Sequence, residues 1–123
     1  MSNVKILLVD DHESAICELV NLLKKSDYEV LEARDGLIGL EILNNNPEIK
    51  LIVTDLYMPN MDGISMCEKI RENKNYDSIV IFMATTETSP AEKERGKKFK
   101  IKAWISKPYE AQAVLNVIKK IGI

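Results

Sequence analysis

The sequence is poor in several features that mark particular classes of protein. Only two of its 123 residues are cysteine, Cys17 and Cys67, and no CxxC pair or Cys/His cluster of the zinc-binding kind is present. We therefore expect both thiols to be small buried hydrophobic groups rather than a disulfide or redox pair. The chain also lacks an apolar run long enough to cross a bilayer and a signal-peptide pattern at its start. We expect a cytoplasmic protein that does not bind membranes.

Charge of one sign is not in large excess either. The formal net charge is -2, which argues against binding of nucleic acid or membrane through bulk electrostatics. Hydrophobic residues make up 46% and charged residues 29% of the chain, which is the balance of an ordinary globular protein. This length fits one domain with its own core, so we expect residues 1–123 to form a single domain.

Short apolar runs alternate with helical patterns five times along the chain. The runs predicted to be strands are Lys5–Val9, Tyr28–Ala33, Leu51–Asp55, Ser78–Met83 and Ala103–Ser106. The predicted helices are Glu13–Lys25, one that Asp35 caps and that ends near Asn44, Ile64–Glu72, one that begins at Ser89-Pro90, and Tyr109–Ile121. This alternation predicts an α/β fold, with a doubly wound parallel sheet covered by helices on both faces.

Polar residues lie at or just past the carboxyl ends of four of the predicted strands. They are Asp10, Asp11, Asp55, Thr85 and Lys107. Because all strands of a parallel sheet end at one edge, we expect these five side chains to meet there. Three carboxylates in one cleft repel, by roughly 4 kcal/mol per pair at about 4 Å and an effective dielectric constant near 20. A partner of opposite charge is therefore needed at this edge.

A hard divalent cation is one such partner. Oxygen ligands suit Mg²⁺, with Mn²⁺ as a second candidate, and metals held by carboxylates often share a phosphate. The Lys107 ammonium and the Thr85 hydroxyl can bind phosphoryl oxygens, and an aspartate can attack phosphorus. The pieces together indicate Mg²⁺-dependent transfer of a phosphoryl group to a carboxylate. The alternative is an ion-pair cluster that only ties the strand ends together.

The residues at these strand ends resemble those of the receiver domains of two-component response regulators. The segments that carry the resemblance are Leu8-Val9-Asp10-Asp11, Asp55-Leu-Tyr-Met58-Pro59-Asn60-Met61-Asp62-Gly63, Thr85 and Lys107-Pro108. The resemblance covers essentially the whole chain. It implies a flavodoxin-like, CheY-like sandwich of three layers with the strand order 2-1-3-4-5. It also implies a cis peptide bond between Lys107 and Pro108.

The resemblance implies a role for each site residue as well. Asp55 is implied to be the phosphoacceptor, and Lys107 to pair with the phosphoryl group. Thr85 would be the switch hydroxyl and Trp104 the switch aromatic, through which phosphorylation repacks the face formed by the fourth helix, fifth strand and fifth helix. The implied Mg²⁺ ligands are Asp11, Asp55, the backbone carbonyl of Tyr57 and, mainly through water, Asp10.

A receiver of this kind is a switch and not a turnover enzyme. We expect it to take one phosphoryl group from a sensor histidine kinase or a histidine phosphotransfer protein and to lose it by autodephosphorylation. Because no output domain follows Ile123, we expect a stand-alone regulator that signals by contact with a downstream protein. The first alternative is an adaptor that works without phosphorylation. A phosphohydrolase is a weaker alternative, because it would need a second acid at the position of Tyr57. A flavin-binding protein is also weaker, because the acidic side chains in Asp10–Glu13 would repel the flavin phosphate.

Several residues depart from the family pattern. Thr86 is bulkier than the small residue usual there, which predicts narrower access to Asp55. Tyr57 and Glu87 lie at positions that tune the phosphoryl lifetime in relatives. Lys100 replaces a helix-ending glycine at a cost of roughly 1–2 kcal/mol in a left-handed cap, so we expect a shortened or mobile fourth helix that ends at Gly96.

Two further features admit a structural and a functional interpretation. The fourth helix and the segment after it are basic, which predicts either a solvated helix face or a docking site for an acidic partner. The basic residues are Lys93, Arg95, Lys97, Lys98, Lys100 and Lys102. The single histidine, His12, follows the acidic pair, and we expect it to be exposed to solvent rather than to be a ligand.

Overall fold

A computed structural model describes residues 4–86 and 89–123, in which strands and α-helices alternate along the chain. The strands are β1 (Lys5–Val9), β2 (Glu29–Ala33), β3 (Leu51–Thr54), β4 (Val80–Thr85) and β5 (Ile101–Ser106). The helices are α1 (Glu13–Lys25), α2 (Gly36–Asn45), α3 (Gly63–Glu72), α4 (Pro90–Lys97) and α5 (Ala111–Lys120). A short 3₁₀ helix, Lys74–Tyr76, lies between α3 and β4.

The five strands form one parallel sheet in the order β2-β1-β3-β4-β5. This confirms the predicted fold and strand order. The register aligns Val9 of β1 with Thr54 of β3, so the residues that follow them, Asp10 and Asp55, are neighbours at the same edge. Further along the strand order, Thr85 of β4 is paired with Ser106 of β5, and Lys107 follows Ser106 at the same edge of the sheet.

Strand side chains enter two cores because successive residues of a strand point to opposite faces. Leu8 and Phe82 belong to the core that α1 and α5 cover. Leu7 and Ile81 belong to the core that α2 and α3 cover. All four are almost fully buried, and burial of each such side chain contributes about 1.5–3 kcal/mol. A sheet packed on both faces explains why these strands read as continuous apolar runs.

The helix starts follow the predicted capping residues. Asp35 accepts a hydrogen bond from the Ile38 N–H at 2.9 Å. Ser89 and Glu92 form a reciprocal capping box at the start of α4, with Pro90 in the first turn. These caps satisfy backbone N–H groups that have no partner inside the helix. The local sequence therefore determines where α2 and α4 begin.

The end of α4 differs in detail from the prediction. The helix is short and ends at Lys97, but Gly96 lies inside it and does not terminate it. The left-handed conformation occurs at Lys100 instead, with φ +57°. Arg71 donates hydrogen bonds to the carbonyl oxygens of Phe99 and Lys100, at 2.9 and 3.4 Å, which hold this turn in place. A tertiary contact thus fixes a backbone conformation that lysine alone disfavours.

The two predictions drawn from cysteine content have different outcomes. Both thiols are free. Cys67 lies on α3 and is buried in the core that α2 and α3 cover, where burial raises the pKa of its thiol to about 12. Cys17 is exposed, so the prediction that it is buried was wrong. Its neighbour Ile16 faces the core, but adjacent residues on a helix differ in direction by about 100°.

Among the described residues, no helix combines the length and apolarity that a membrane crossing requires.

Candidate functional site

Two buried carboxylates lie side by side where β1 and β3 end. The Asp10 N–H donates to the Ala33 carbonyl oxygen at 2.9 Å, and the Asp55 N–H donates to the Val9 carbonyl oxygen at 2.8 Å. These bonds extend the sheet ladder by one residue past each strand, which fixes both backbones. Both residues are only 6% exposed. Buried carboxylates are stable only with charged or hydrogen-bonding partners.

Lys107 supplies the opposite charge. Its Nζ donates to Asp55 Oδ2 at 3.1 Å and also to Asp10 Oδ2. Burial by itself lowers the pKa of this ammonium, but hydrogen bonds and charges from Asp10 and Asp55 outweigh burial, so its pKa is raised. The Lys107 N–H donates to the Thr85 carbonyl oxygen at 2.9 Å, and the Lys107-Pro108 peptide bond is cis, as predicted. Two carboxylates and one ammonium leave an excess negative charge.

Asp11 and His12 complete the acidic cluster at its solvent side. The His12 Nδ1 lies 3.0 Å from Asp11 Oδ1 and 3.2 Å from Asp10 Oδ1. The His12 side chain is 64% exposed, which agrees with the prediction, yet its ring nitrogen faces the carboxylates. One ligand atom from each of Asp10, Asp11, His12 and Asp55 can be chosen so that all lie within 4.8 Å of one another. Oxygen donors with a net negative charge fit a hard divalent cation.

Gly63 positions Asp55 from the side of α3, a role that the sequence reasoning missed. A Cβ atom at Gly63 would lie 2.2 Å from the backbone carbonyl oxygen of Asp55. The Gly63 N–H donates to the Leu56 carbonyl oxygen at 2.8 Å, so the start of α3 rests on the backbone of this loop. Glycine permits such a close approach of two backbones. The signal in the sequence is a glycine that directly follows Asp62, the N-cap residue of α3. A glycine at that position is not needed for a left-handed turn.

A cavity of about 430 Å³ opens beside Asp55. Its walls are His12, Ser14, Asp55, Tyr57, Thr86, Lys107, Pro108 and Tyr109. Tyr57 is 52% exposed, and its hydroxyl donates to the Glu92 carboxylate in the first turn of α4. This contact joins residues 35 positions apart and has no local sequence signal. Glu87, which was also expected near the site, lies outside the described residues.

Thr85 and Trp104 occupy different depths of the structure. Thr85 is buried at the end of β4, at the same sheet edge as the acidic cluster. Trp104 is half-buried in the middle of β5 and packs against α4, where a Cβ atom at Gly96 would lie 2.8 Å from its Cζ2. Trp104 also borders the core that α2 and α3 cover. The aromatic ring therefore connects the sheet with α4.

Comparisons with known proteins agree with this architecture. Over residues 6–119 the chain matches the response regulator receiver domain family. The chemotaxis protein CheY1 of Helicobacter pylori is 35% identical over 119 residues, which cover 96% of each chain. The CheY homolog of Campylobacter jejuni is 31% identical over 119 residues, covering 96% of this chain and 92% of the relative. The solved structure of CheY4 of Vibrio cholerae superposes with a TM-score of 0.87 at 31% identity, covering 98% and 99% of the two chains. The chain belongs to the receiver domain family of response regulators.

Proposed function

We propose that this protein is a phosphoacceptor switch of a two-component phosphorelay, with Asp55 as the residue that is phosphorylated. The observation that carries the proposal is the setting of the Asp55 carboxylate. Its Oδ1 accepts the Leu56 N–H at 2.7 Å, its Oδ2 accepts the Lys107 ammonium, and a cavity opens beside it. A carboxylate held by donors on both oxygens is oriented toward one reaction partner.

The transfer is a displacement at phosphorus. A carboxylate oxygen of Asp55 forms the new O–P bond while the P–N bond of a donor phosphohistidine breaks, and the electron pair of that bond remains on the imidazole. Lys107 already contacts Asp55 Oδ2 and Asp10 Oδ2, so its ammonium can follow the negative charge onto the phosphoryl group. The donor is a sensor histidine kinase or a histidine phosphotransfer protein. The domain undergoes single phosphorylation and autodephosphorylation, as a signalling switch rather than an enzyme.

The acidic cluster is the proposed Mg²⁺ site, with Mn²⁺ as a second candidate. Asp11, Asp55 and the backbone carbonyl of Tyr57 would hold the ion directly, and Asp10 would act mainly through water. Three carboxylates with one ammonium leave negative charge that fits such an ion. When bound, Mg²⁺ supplies positive charge that offsets repulsion between these carboxylates and the incoming phosphoryl oxygens.

Thr85 and Trp104 are the proposed switch residues. Thr85 lies at the edge where Asp55 is phosphorylated, and Trp104 lies on the next strand against α4. We expect phosphorylation to draw Thr85 toward Asp55 and Trp104 inward, which shifts α4 and changes the face formed by α4, β5 and α5. A downstream protein then binds that face. Residues 1–123 would act as a single cytoplasmic receiver domain that signals by protein contact and does not bind nucleic acid.

Phosphorylation by acetyl phosphate tests the proposal directly. The protein is incubated with acetyl phosphate with and without Mg²⁺, and intact mass and Trp104 fluorescence are followed. We expect addition of one phosphoryl group that requires Mg²⁺ and changes the emission of Trp104. Asp55→Asn removes the acceptor and should abolish the addition. Asp62→Asn is the matched control, because it changes a nearby carboxylate outside the cluster and keeps a side chain that can cap α3.

Two other outcomes would favour other functions. No addition under any condition, with intact Mg²⁺ binding, would favour the adaptor that works without phosphorylation. Turnover of a generic phosphate ester would favour a phosphohydrolase. A hydrolase of this kind needs a second carboxylic acid at the position of Tyr57. The tyrosine that this chain has there donates its hydroxyl hydrogen bond to the Glu92 carboxylate.

A further inference from the structure

The imidazole of His12 faces the acidic cluster although its position does not force it to do so. His12 precedes the first residue of α1, and its side chain makes no capping hydrogen bond. Most of the ring is accessible to water, yet Nδ1 lies 3.0 Å from Asp11 Oδ1 and 3.2 Å from Asp10 Oδ1. In the absence of an ion, contacts with these two carboxylates hold the ring nitrogen at the edge of the cluster. A nitrogen donor is therefore available beside the carboxylate oxygens of the proposed metal site.

We propose that His12 is a nitrogen ligand of the metal site, which gives this receiver a preference for imidazole-binding divalent transition ions such as Ni²⁺ or Zn²⁺. The inference rests on the proposed metal-dependent function of the same cluster and goes beyond its Mg²⁺ site. A site of oxygen ligands alone suits Mg²⁺, whereas an added imidazole favours the later transition ions. The ligand set would then be mixed, with carboxylate oxygens and one nitrogen.

The distances agree with a shared ion. Metal–ligand bonds of about 2.0–2.2 Å place ligands on opposite sides of an ion about 4.0–4.4 Å apart. The ligand atoms of Asp11, His12 and Asp55 lie within 4.8 Å of one another, so shifts of less than about 1 Å bring them to that spacing. Binding at Nδ1 would replace its hydrogen-bonding contacts with the two carboxylates.

The backbone at His12 holds the ring at this spacing. The His12 N–H donates to Asp10 Oδ1 at 2.9 Å, so the residue that carries the imidazole is anchored to one of the acids of the cluster. Asp10 is itself fixed by its backbone bond to Ala33 and by Lys107. The backbone that carries the imidazole is therefore fixed at the end of β1. This lowers the conformational entropy that the side chain loses when it binds an ion.

Calorimetric titration of the full chain, free of any histidine tag, with NiCl₂ and with MgCl₂ tests the inference. Removal of an outer-shell partner alone can weaken metal binding by about tenfold. We therefore expect His12→Gln, which removes a direct ligand, to weaken Ni²⁺ binding by at least that factor. Mg²⁺ binding should change by less than about threefold, since an oxygen-seeking ion gains little from the imidazole. Glu13→Gln is the matched control, because it neutralises the exposed acid next to His12 and lies outside the cluster.

A spectroscopic measurement separates a ligand from a residue that only orients the carboxylates. His12 is the only histidine, so the ¹⁵N resonances of one imidazole report on it without assignment. We expect Zn²⁺ to shift the Nδ1 resonance and Mg²⁺ to leave it nearly unchanged. Equal losses of Ni²⁺ and Mg²⁺ affinity in His12→Gln, or an Nδ1 resonance that ignores Zn²⁺, would overturn the inference. Failure of acetyl phosphate to label Asp55, with His12-dependent Ni²⁺ binding intact, would instead refute only the proposed function.

Discussion

Helices α3 and α4 are neighbours, and they are held to the domain by different forces. Five residues of α3 are buried: Gly63, Ile64, Met66, Cys67 and Ile70. In α4 the only buried residue is Gly96. Burial of apolar side chains therefore fixes α3, with each large side chain contributing about 1.5–3 kcal/mol. Helix α4 has almost no such contribution and must be held by other contacts.

The contacts that hold α4 are polar and lie near the surface. Tyr57 donates to Glu92 in the first turn. Arg95 donates to Ser65 Oγ at 3.0 Å and lies 3.6 Å from Asp62 Oδ2, which ties α4 to the start of α3. Exposed contacts of this kind contribute about 0–1 kcal/mol each. A helix held in this way can shift at little cost, and such a shift is what the proposed switch beside Asp55 requires.

The largest expected effect contrasts the two helices directly. Ile70→Ala in α3 should lower the free energy of unfolding by about 2–5 kcal/mol, because it leaves a cavity in a closed core. Glu94→Ala in α4 should change it by less than about 0.5 kcal/mol, since Glu94 makes only an exposed ion pair with Lys97. Urea unfolding of both variants measures the difference. Similar costs for the two substitutions would show that α4 is also part of the cooperative core.

A second prediction concerns Arg71, which links the last turn of α3 to the segment after α4. Its guanidinium donates to the carbonyl oxygens of Phe99, Tyr76 and Ile79 at 2.8–2.9 Å. Arg71→Met should cost about 1.5–3 kcal/mol, because these carbonyls lose a charged donor. Arg71→Lys is the control, and a single ammonium should recover only part of the loss. Full recovery by lysine in urea unfolding would mean that charge alone matters here.

The sequence predicts the regular part of this structure and the edge that carries the site. Periodic apolar patterns identify the strands and helices, and parallel pairing brings Asp10, Asp55 and Lys107 to one edge. Strand limits were less accurate for two physical reasons. Ile79 is buried but precedes the β4 ladder, so its burial extended the predicted strand. The β5 strand begins at Ile101, because an irregularity in its pairing with β4 adds residues before Ala103.

The contacts that the sequence does not predict connect residues far apart in the chain. The Tyr57–Glu92 and Arg71–Phe99 hydrogen bonds join residues 35 and 28 positions apart. Neither residue of such a pair carries a local signal, since exposed tyrosines and arginines occur on most helical and loop surfaces. The direction of the His12 ring also depends on tertiary context. The start of α4 was predicted correctly from its capping residues, whereas the left-handed turn at Lys100 after its end depends on the contact with Arg71.

A smaller effect is expected from deletion of a helix cap. Ser89→Ala removes the side chain that accepts the Glu92 N–H at 3.1 Å, a loss of about 1 kcal/mol. Because α4 has so little buried surface, we expect this loss to appear as local opening, with amide exchange in α4 about fivefold faster. Asp62→Ala removes the matching cap of α3, which accepts the Ser65 N–H at 2.7 Å.

The α3 cap provides the comparison for that measurement. Helix α3 is buried, so Asp62→Ala should lower the urea midpoint of the whole domain, while Ser89→Ala should leave it nearly unchanged. Hydrogen exchange detected by mass spectrometry separates the two responses. An equal loss of global stability in both variants would contradict the view that α4 opens independently of the core.

The smallest expected change in stability is for Gly96→Ala, which sets two effects against each other. Alanine improves helix propensity by about 1 kcal/mol. The new Cβ would lie 2.8 Å from Trp104 Cζ2 and 3.4 Å from Ile101 Cγ1, so helix or ring must move. Since α4 is held mainly by surface contacts, we expect the helix to shift outward, with little net change in stability. Trp104, the only tryptophan, should then show red-shifted emission and stronger quenching by acrylamide.

Gly39→Ala in α2 is the matched control for that substitution. It has the same gain in helix propensity, but its Cβ would meet the Met66 thioether at 3.0 Å and Val9 Cγ2 at 3.3 Å, and not Trp104. The emission of Trp104 should therefore be unchanged in Gly39→Ala. If Gly96→Ala instead raised the stability by the full gain in helix propensity and left the emission unchanged, the space between Gly96 and Trp104 would have room for a methyl group. Movement of Trp104 would then not be transmitted to α4 by direct contact, and the proposed switch would need another link between Asp55 and α4, for which the Tyr57–Glu92 hydrogen bond is the candidate.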